Sequence, residues 1–197
     1  MAAIPDDQPL GPPLPTISLP PLRAPSPRVA ALIETGKKAA TAHDLEKAVR
    51  DFTDAVHIDP HFPGGYSERG QALFELGETD RAIADYSAAL KHDPNYGPAL
   101  RGRAMAHLYR GATDRALSDL SRAIQVAEID PNRLSPLELF YARRSRAAIY
   151  GTRMQLDAEI ADYSAIIEAY KRDEALNVAL AWISTARNSA NVDLKSL

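Results

Sequence analysis

The chain repeats itself at an interval of 34 residues, and no other feature constrains its fold so tightly. Asp59-Pro60 recurs as Asp93-Pro94 without a gap. Frames begun at Val29, Pro63 and Gly97 carry one small-residue code. Gly36, Gly70 and Ala104 share a first place, Ala48, Ala82 and Ala116 a second, and Ala55, Ala89 and Ala123 a third. Between the last two stands a bulky residue: Phe52, Tyr86 or Leu120. A period of this length belongs to arrays of helical pairs, whose concave faces bind partners.

Within a unit the apolar residues recur at helical spacing, Leu73 and Leu76 in one half and Ile83, Tyr86 and Leu90 in the other. Gly77-Glu78-Thr79-Asp80 separates the halves, and Gly111-Ala112-Thr113-Asp114 does so one unit later. The Gly is placed to end the first helix and the Thr or Asp to cap the second. Asp93-Pro94 then stops the second helix, because proline cannot continue it. Small residues at the recurring places allow two helices to approach closely while the bulky residue fills the space beside them. The pattern predicts a helix–turn–helix hairpin, stacked repeatedly.

These residues resemble the tetratricopeptide repeat family. Its small eighth residue, mid-unit Ala, aromatic, second Ala and closing Pro are all met by Pro63–Tyr96 and nearly as well by Val29–Phe62. Gly97–Ala127 follows until its end, where Glu128 takes the place of the Pro and Pro131 arrives late. Leu32, Tyr66 and Leu100 replace the usual first-helix Trp. The likeness extends over roughly 140 residues. It implies an all-α, right-handed solenoid built on residues 29–197, with repeats at about 29–62, 63–96 and 97–130, a degenerate one at 137–173 and a capping helix at 174–188.

The degenerate unit keeps its register through Asp162-Tyr163-Ser164, which aligns with Asp85-Tyr86-Ser87 and puts the frame start at Phe140, nine residues later than the period requires. Pro131–Pro136 falls in the insertion, and Ser135-Pro136 with Glu138 reads as a fresh helix start. Ala147 keeps the small position, but Glu159 stands where Ala is expected. The capping helix would turn Leu176, Leu180 and Ile183 inward, with Trp182 beside them, half buried or open to a second copy of the chain.

Charges recur with the same period. Arg69, Arg103 and Arg146 share a place on the first helix, and Asp51, Asp85, Asp119 and Asp162 share one on the second. Unit one carries Thr35 instead of Arg. Forward pairing explains the missing Arg, since nothing precedes unit one. The expected pairs are Asp51–Arg69, Asp85–Arg103 and Asp119–Arg146, each joining consecutive units.

By resemblance the first helix of each unit lines the groove. The groove-facing places then hold Lys37, Gln71, Phe74, Arg101, Met105, Leu108, Tyr109, Tyr141 and Arg144. Apolar groups beside arginines suit a protein or peptide segment of acidic character. The chaperone-tail clamp of some relatives needs Lys and Asn at places held here by Ile33 and Glu68, which does not favour that ligand. The expected function is a non-catalytic adaptor. Self-association through the C-terminal helix, giving a homo-oligomer, is the alternative. Arg101, Arg103, Arg110, Arg143, Arg144, Arg146 and Arg153 form a basic region with Tyr109, Tyr141 and Tyr150 nearby, the one feature that could draw RNA. A net charge of −3 argues against nucleic acid, which is not expected as a partner.

No cysteine is present, so disulfides, thiolate chemistry and Cys-based zinc sites are excluded. His57 and His61 are separated by helix-breaking Asp59-Pro60, and His43, His92 and His107 lie in different units, so no metal is expected. Phosphate loops, nucleophile elbows and paired-carboxylate motifs are absent; neither catalysis nor a cofactor is expected. No apolar run approaches the ~18 residues that cross a bilayer. Cytoplasm is the expected compartment, while a signal peptide already removed would leave the same sequence and a periplasmic or secreted protein. Nine of the 15 prolines precede Arg28. Residues 1–28 therefore read as a disordered polyproline-type tether, or as a docking segment presenting Leu19-Pro20-Pro21-Leu22-Arg23 to another protein.

Overall fold

A computed structural model describes residues 19–172; the expected capping helix and Trp182 lie outside them. Eight α-helices follow in pairs: α1 Pro27–Thr41 and α2 Leu45–Ile58, α3 Pro63–Glu75 and α4 Thr79–His92, α5 Gly97–Tyr109 and α6 Thr113–Ile129, α7 Pro136–Thr152 and α8 Leu156–Arg172. A short 3-10 turn, Pro131–Arg133, joins α6 to α7. Each helix packs on its neighbours in sequence, and the first helices also touch along the array, α1 with α3, α3 with α5 and α5 with α7. That arrangement puts the first helices on the inner side of a solenoid.

All four hairpins turn by the same device. Gly77 and Gly111 adopt the left-handed conformation at φ 82 and 72°. The next N–H reaches back to the carbonyl five residues earlier, Glu78 to Leu73 at 2.9 Å and Ala112 to His107 at 2.8 Å. His43 and Met154 fill the same place at φ 60 and 56° although they carry side chains. The expected caps differ. Thr79 and Thr113 begin their helices, and Glu78 and Ala112 before them provide no side-chain cap. Each Thr hydroxyl instead donates to the Gly carbonyl two residues back. Side-chain caps are made by Ser26, Asp44 and Ser135, the last in a reciprocal capping box with Glu138.

The small-residue code has a direct packing cause. Phe52 lies so close to Gly36 that a Cβ there would stand 2.5 Å from its ring. Tyr86 is wedged between Gly70 of its own unit and Gly102 of the next, where the corresponding distances are 3.0 and 2.5 Å. Burying such a ring contributes about 2–3 kcal/mol. Phe52, Tyr86 and Leu120 are fully buried, and Tyr86 meets the following first helix at Gly102. Tyr163, in the same place on α8, is 41% exposed. No described unit follows it.

The recurring arginines and aspartates pair within units. Arg69 donates through Nε and Nη2 to both oxygens of Asp85 at 2.7 and 2.8 Å. Arg103 grips Asp119 at 2.8 and 2.8 Å, and Arg146 grips Asp162 at 2.8 and 2.6 Å. Asp51 takes Lys47 at 2.5 Å. The forward pairs Asp51–Arg69, Asp85–Arg103 and Asp119–Arg146 are therefore not formed. In an antiparallel hairpin the two places, 16 residues apart, already face each other. The arginines still touch the preceding unit through its hydroxyls, Arg69 at Thr53 (3.3 Å) and Arg103 at Ser87 (3.2 Å). Forward ion pairs exist elsewhere, at the exposed hairpin ends: Arg110–Asp80 and Arg153–Asp114.

Candidate functional site

The nine-residue insertion shapes the inner face. It lengthens α6 and α7 to 17 residues each, against 13 or 14 in α2 to α5. Between α5 and α7 lies an open cleft of about 670 Å³. Arg101, Met105 and Leu108 line it from α5, and Tyr141 and Arg144 from α7. Five of the nine groove residues expected from sequence thus meet in one place. The cleft is mainly apolar with two guanidinium groups at it, which suits an aliphatic or aromatic side chain flanked by a carboxylate.

The two cations differ. Arg101 is three-quarters buried and points Nε toward Glu138 at 3.5 Å, leaving that nitrogen without a hydrogen-bond partner. Arg144 is exposed and has no ion pair among the described residues. Met105 Sδ accepts from Ser145 Oγ at 3.8 Å, joining α5 to α7 across the cleft.

The remaining four groove residues lie elsewhere. Phe74 and Tyr109 meet edge to face with centroids 5.9 Å apart, Tyr109 being 73% exposed. Gln71 donates to Glu75 at 2.7 Å and accepts from Tyr86 at 3.2 Å. Lys37 pairs with Glu68 at 3.0 Å near the first hairpin. Burial raises the Glu68 pKa above its ordinary value, against the opposing pull of Lys37. Burial likewise raises the Tyr86 and Tyr96 phenols.

Sequence reasoning missed Ser145, Ala148 and Thr152, which line the cleft from α7. They fall four, seven and eleven residues after Tyr141, one helical stripe, so the spacing already carried the signal. Glu138 read only as a capping residue. It serves the cap through Oε2 and Arg101 through Oε1.

The basic region is largely neutralised. Arg101 faces Glu138, Arg103 Asp119, Arg110 Asp80, Arg143 Glu128, Arg146 Asp162 and Arg153 Asp114. Of the seven arginines only Arg144 is left over among the described residues. No group of His, Asp or Glu there could hold a metal, and no described helix is long and apolar enough to cross a membrane.

Stacked antiparallel hairpins with an inward-facing cleft define the class as an all-α helical-repeat scaffold. Residues 64–96 match the family model described as tetratricopeptide repeat, in the frame of the second unit. The second unit is thus matched as a tetratricopeptide repeat, and solved structures of such repeats share the fold of the chain. It is similar in structure to TTC0263, a thermophilic TPR protein of Thermus thermophilus (19% identity, 79% of this chain and 80% of that one, TM-score 0.63). It is also similar to the TPR2B domain of yeast Sti1 in complex with an Hsp70 peptide (28%, 62% and 98%, 0.56). A third likeness is to the first TPR of Spaghetti (RPAP3) bound to the HSP90 peptide SRMEEVD (23%, 64% and 94%, 0.55). Comparison with curated proteins gave no match.

Proposed function

We propose that the chain is a non-catalytic adaptor that holds a segment of another protein in the cleft between α5 and α7. The observation carrying this reading is the convergence of five groove residues on that cleft, with Arg144 exposed beside apolar Met105, Leu108 and Tyr141. A partner segment with an apolar side chain followed by an acidic one matches this chemistry. A chaperone tail is a poor match here, because Glu68 carries an acidic group on the inner face and Ile33 is buried.

Affinity capture from source-organism lysate tests the reading. The natural chain is expected to recover a protein that Arg144→Glu loses, with helicity unchanged because Arg144 holds no structural partner among the described residues. Equal recovery by both removes the cleft as the site.

A second reading rests on α8, whose Leu156, Ile160, Tyr163 and Ile167 are all more than 40% exposed and share a face. Self-association at this end would make the chain an assembly element. Mass that rises with concentration and is abolished by Trp182→Ala supports it; a constant monomer mass removes it.

A further inference from the structure

The last part of the proline-rich arm does not trail into solvent. Leu19–Ser26 forms no helix and runs from the α6–α7 link to the start of α1. Pro25 lines a pocket with Ile33, Phe62 and Tyr96. Arg23 pairs with Asp59, in the α2–α3 link, at 2.8 Å. The Pro20 carbonyl accepts from the Arg133 guanidinium, in the α6–α7 link. Arg133 in turn reaches Asp93, in the α4–α5 link, at 3.0 Å. Leu19 packs on the larger core cluster. The segment thus meets the first and third links between units directly, and the second through Arg133.

The receiving side is built for this. Arg133 comes from the nine-residue insertion, and its side chain is fully buried. Asp93 and Asp130 neutralise it, leaving guanidinium nitrogen to take a main-chain carbonyl. Recognition through a carbonyl suits a proline-rich strand, whose carbonyls are all free of internal hydrogen bonds. The insertion comes in so close that a Cβ on Gly97 would stand 2.2 Å from the Arg133 carbonyl oxygen. Attachment on the strand side is light. Residues Pro20–Ala24 are exposed, and Arg23 is half exposed in its pair with Asp59, so solvent screens that contact.

We infer that the linker edge is a second binding site, separate from the groove, for an extended proline-rich strand, and that the chain's own Leu19–Pro25 fills it in cis. The covalent tether supplies a high effective concentration, so contacts too few to hold a free peptide tightly suffice within one chain. A strand so held can be exchanged.

The test uses the full chain carrying Leu19→Asp and Arg23→Glu, both ahead of α1 and outside every hairpin. Because the chain has no cysteine, Leu22→Cys with Lys91→Cys gives two unique nitroxide positions. Their distance distribution is expected to be narrow in the natural background and broad in the released variant. A fluorescein-labelled peptide of residues 16–26 is then expected to bind the released variant saturably and the natural chain at least tenfold more weakly. The same peptide carrying Arg23→Glu should lose at least tenfold. Circular dichroism should show equal helicity in both proteins. Distance distributions that do not differ between the two proteins overturn the inference. So does a released variant that fails to bind the peptide, or binding that is equal in both proteins.

Discussion

Arg103 and Asp119 allow the internal pairing of each hairpin to be measured. Their side chains are 25% and 10% exposed, and two parallel N–H···O bonds of 2.8 Å join them. A bidentate charge-assisted pair in such a setting is worth about 1.5–3 kcal/mol. Arg103→Ala leaves Asp119 buried without its counter-charge and also loses the bond to Ser87, a cost of about 3 kcal/mol. For a chain of this size that corresponds to a fall in melting temperature of about 10 °C. The double variant Arg103→Ala/Asp119→Ala should be less destabilised than the sum of the singles by about 2 kcal/mol. A parallel cycle on Arg103 and Asp85 should show coupling within about 0.5 kcal/mol of zero, since Asp85 is held by Arg69. Urea unfolding followed by circular dichroism supplies all the free energies. Coupling larger for Asp85–Arg103 than for Arg103–Asp119 would refute the intra-unit assignment and restore forward pairing.

Gly97→Ala drives a methyl group into the Arg133 carbonyl oxygen, which backbone cannot easily yield, and should cost about 2 kcal/mol or more in the same unfolding assay. Met154→Gly relieves a left-handed residue that is 84% exposed and should stabilise by about 0.5–1 kcal/mol, read as a raised urea midpoint. Glu68 has its folded pKa raised above 4.5, so the folded chain holds its proton more tightly than the unfolded one. Its contribution to stability therefore declines as pH rises above 4.5 through the folded pKa. Glu68→Gln should remove that component of the stability–pH curve, and a curve of unchanged slope would contradict the assignment.

The hairpins were legible because packing imposes a period: a ring wedged against Gly36 or Gly70 cannot tolerate a larger neighbour, and the sequence keeps a small residue there every 34 residues, ending in Ala104. The Arg–Asp partners were misread because periodicity gives the place of a residue within its unit but not which of two neighbouring helices it faces. Thr35 in unit one had a simpler cause than a missing predecessor, since Asp51 is served by Lys47 one turn away. Thr79 and Thr113 look like caps by residue type, yet the left-handed glycine two residues before each accepts their hydroxyls. The cleft was half visible. Groove places came from family resemblance, while which of them meet in one cleft depends on how α5 and α7 pack, which periodicity does not give. The seat of the arm on Asp59 and Arg133 left no trace in the pattern, because a proline-rich segment has no period to match against a helix.

Site-specific photo-crosslinking tests the central assignment most directly. A benzophenone side chain introduced at Tyr141, in the cleft, is compared in source-organism lysate with one at Arg115, exposed on α6. The account predicts one discrete protein adduct from Tyr141, lost when Arg144→Glu is added, and none of that mass from Arg115. An adduct of equal yield from Arg115, or one indifferent to Arg144→Glu, would contradict a partner held between α5 and α7.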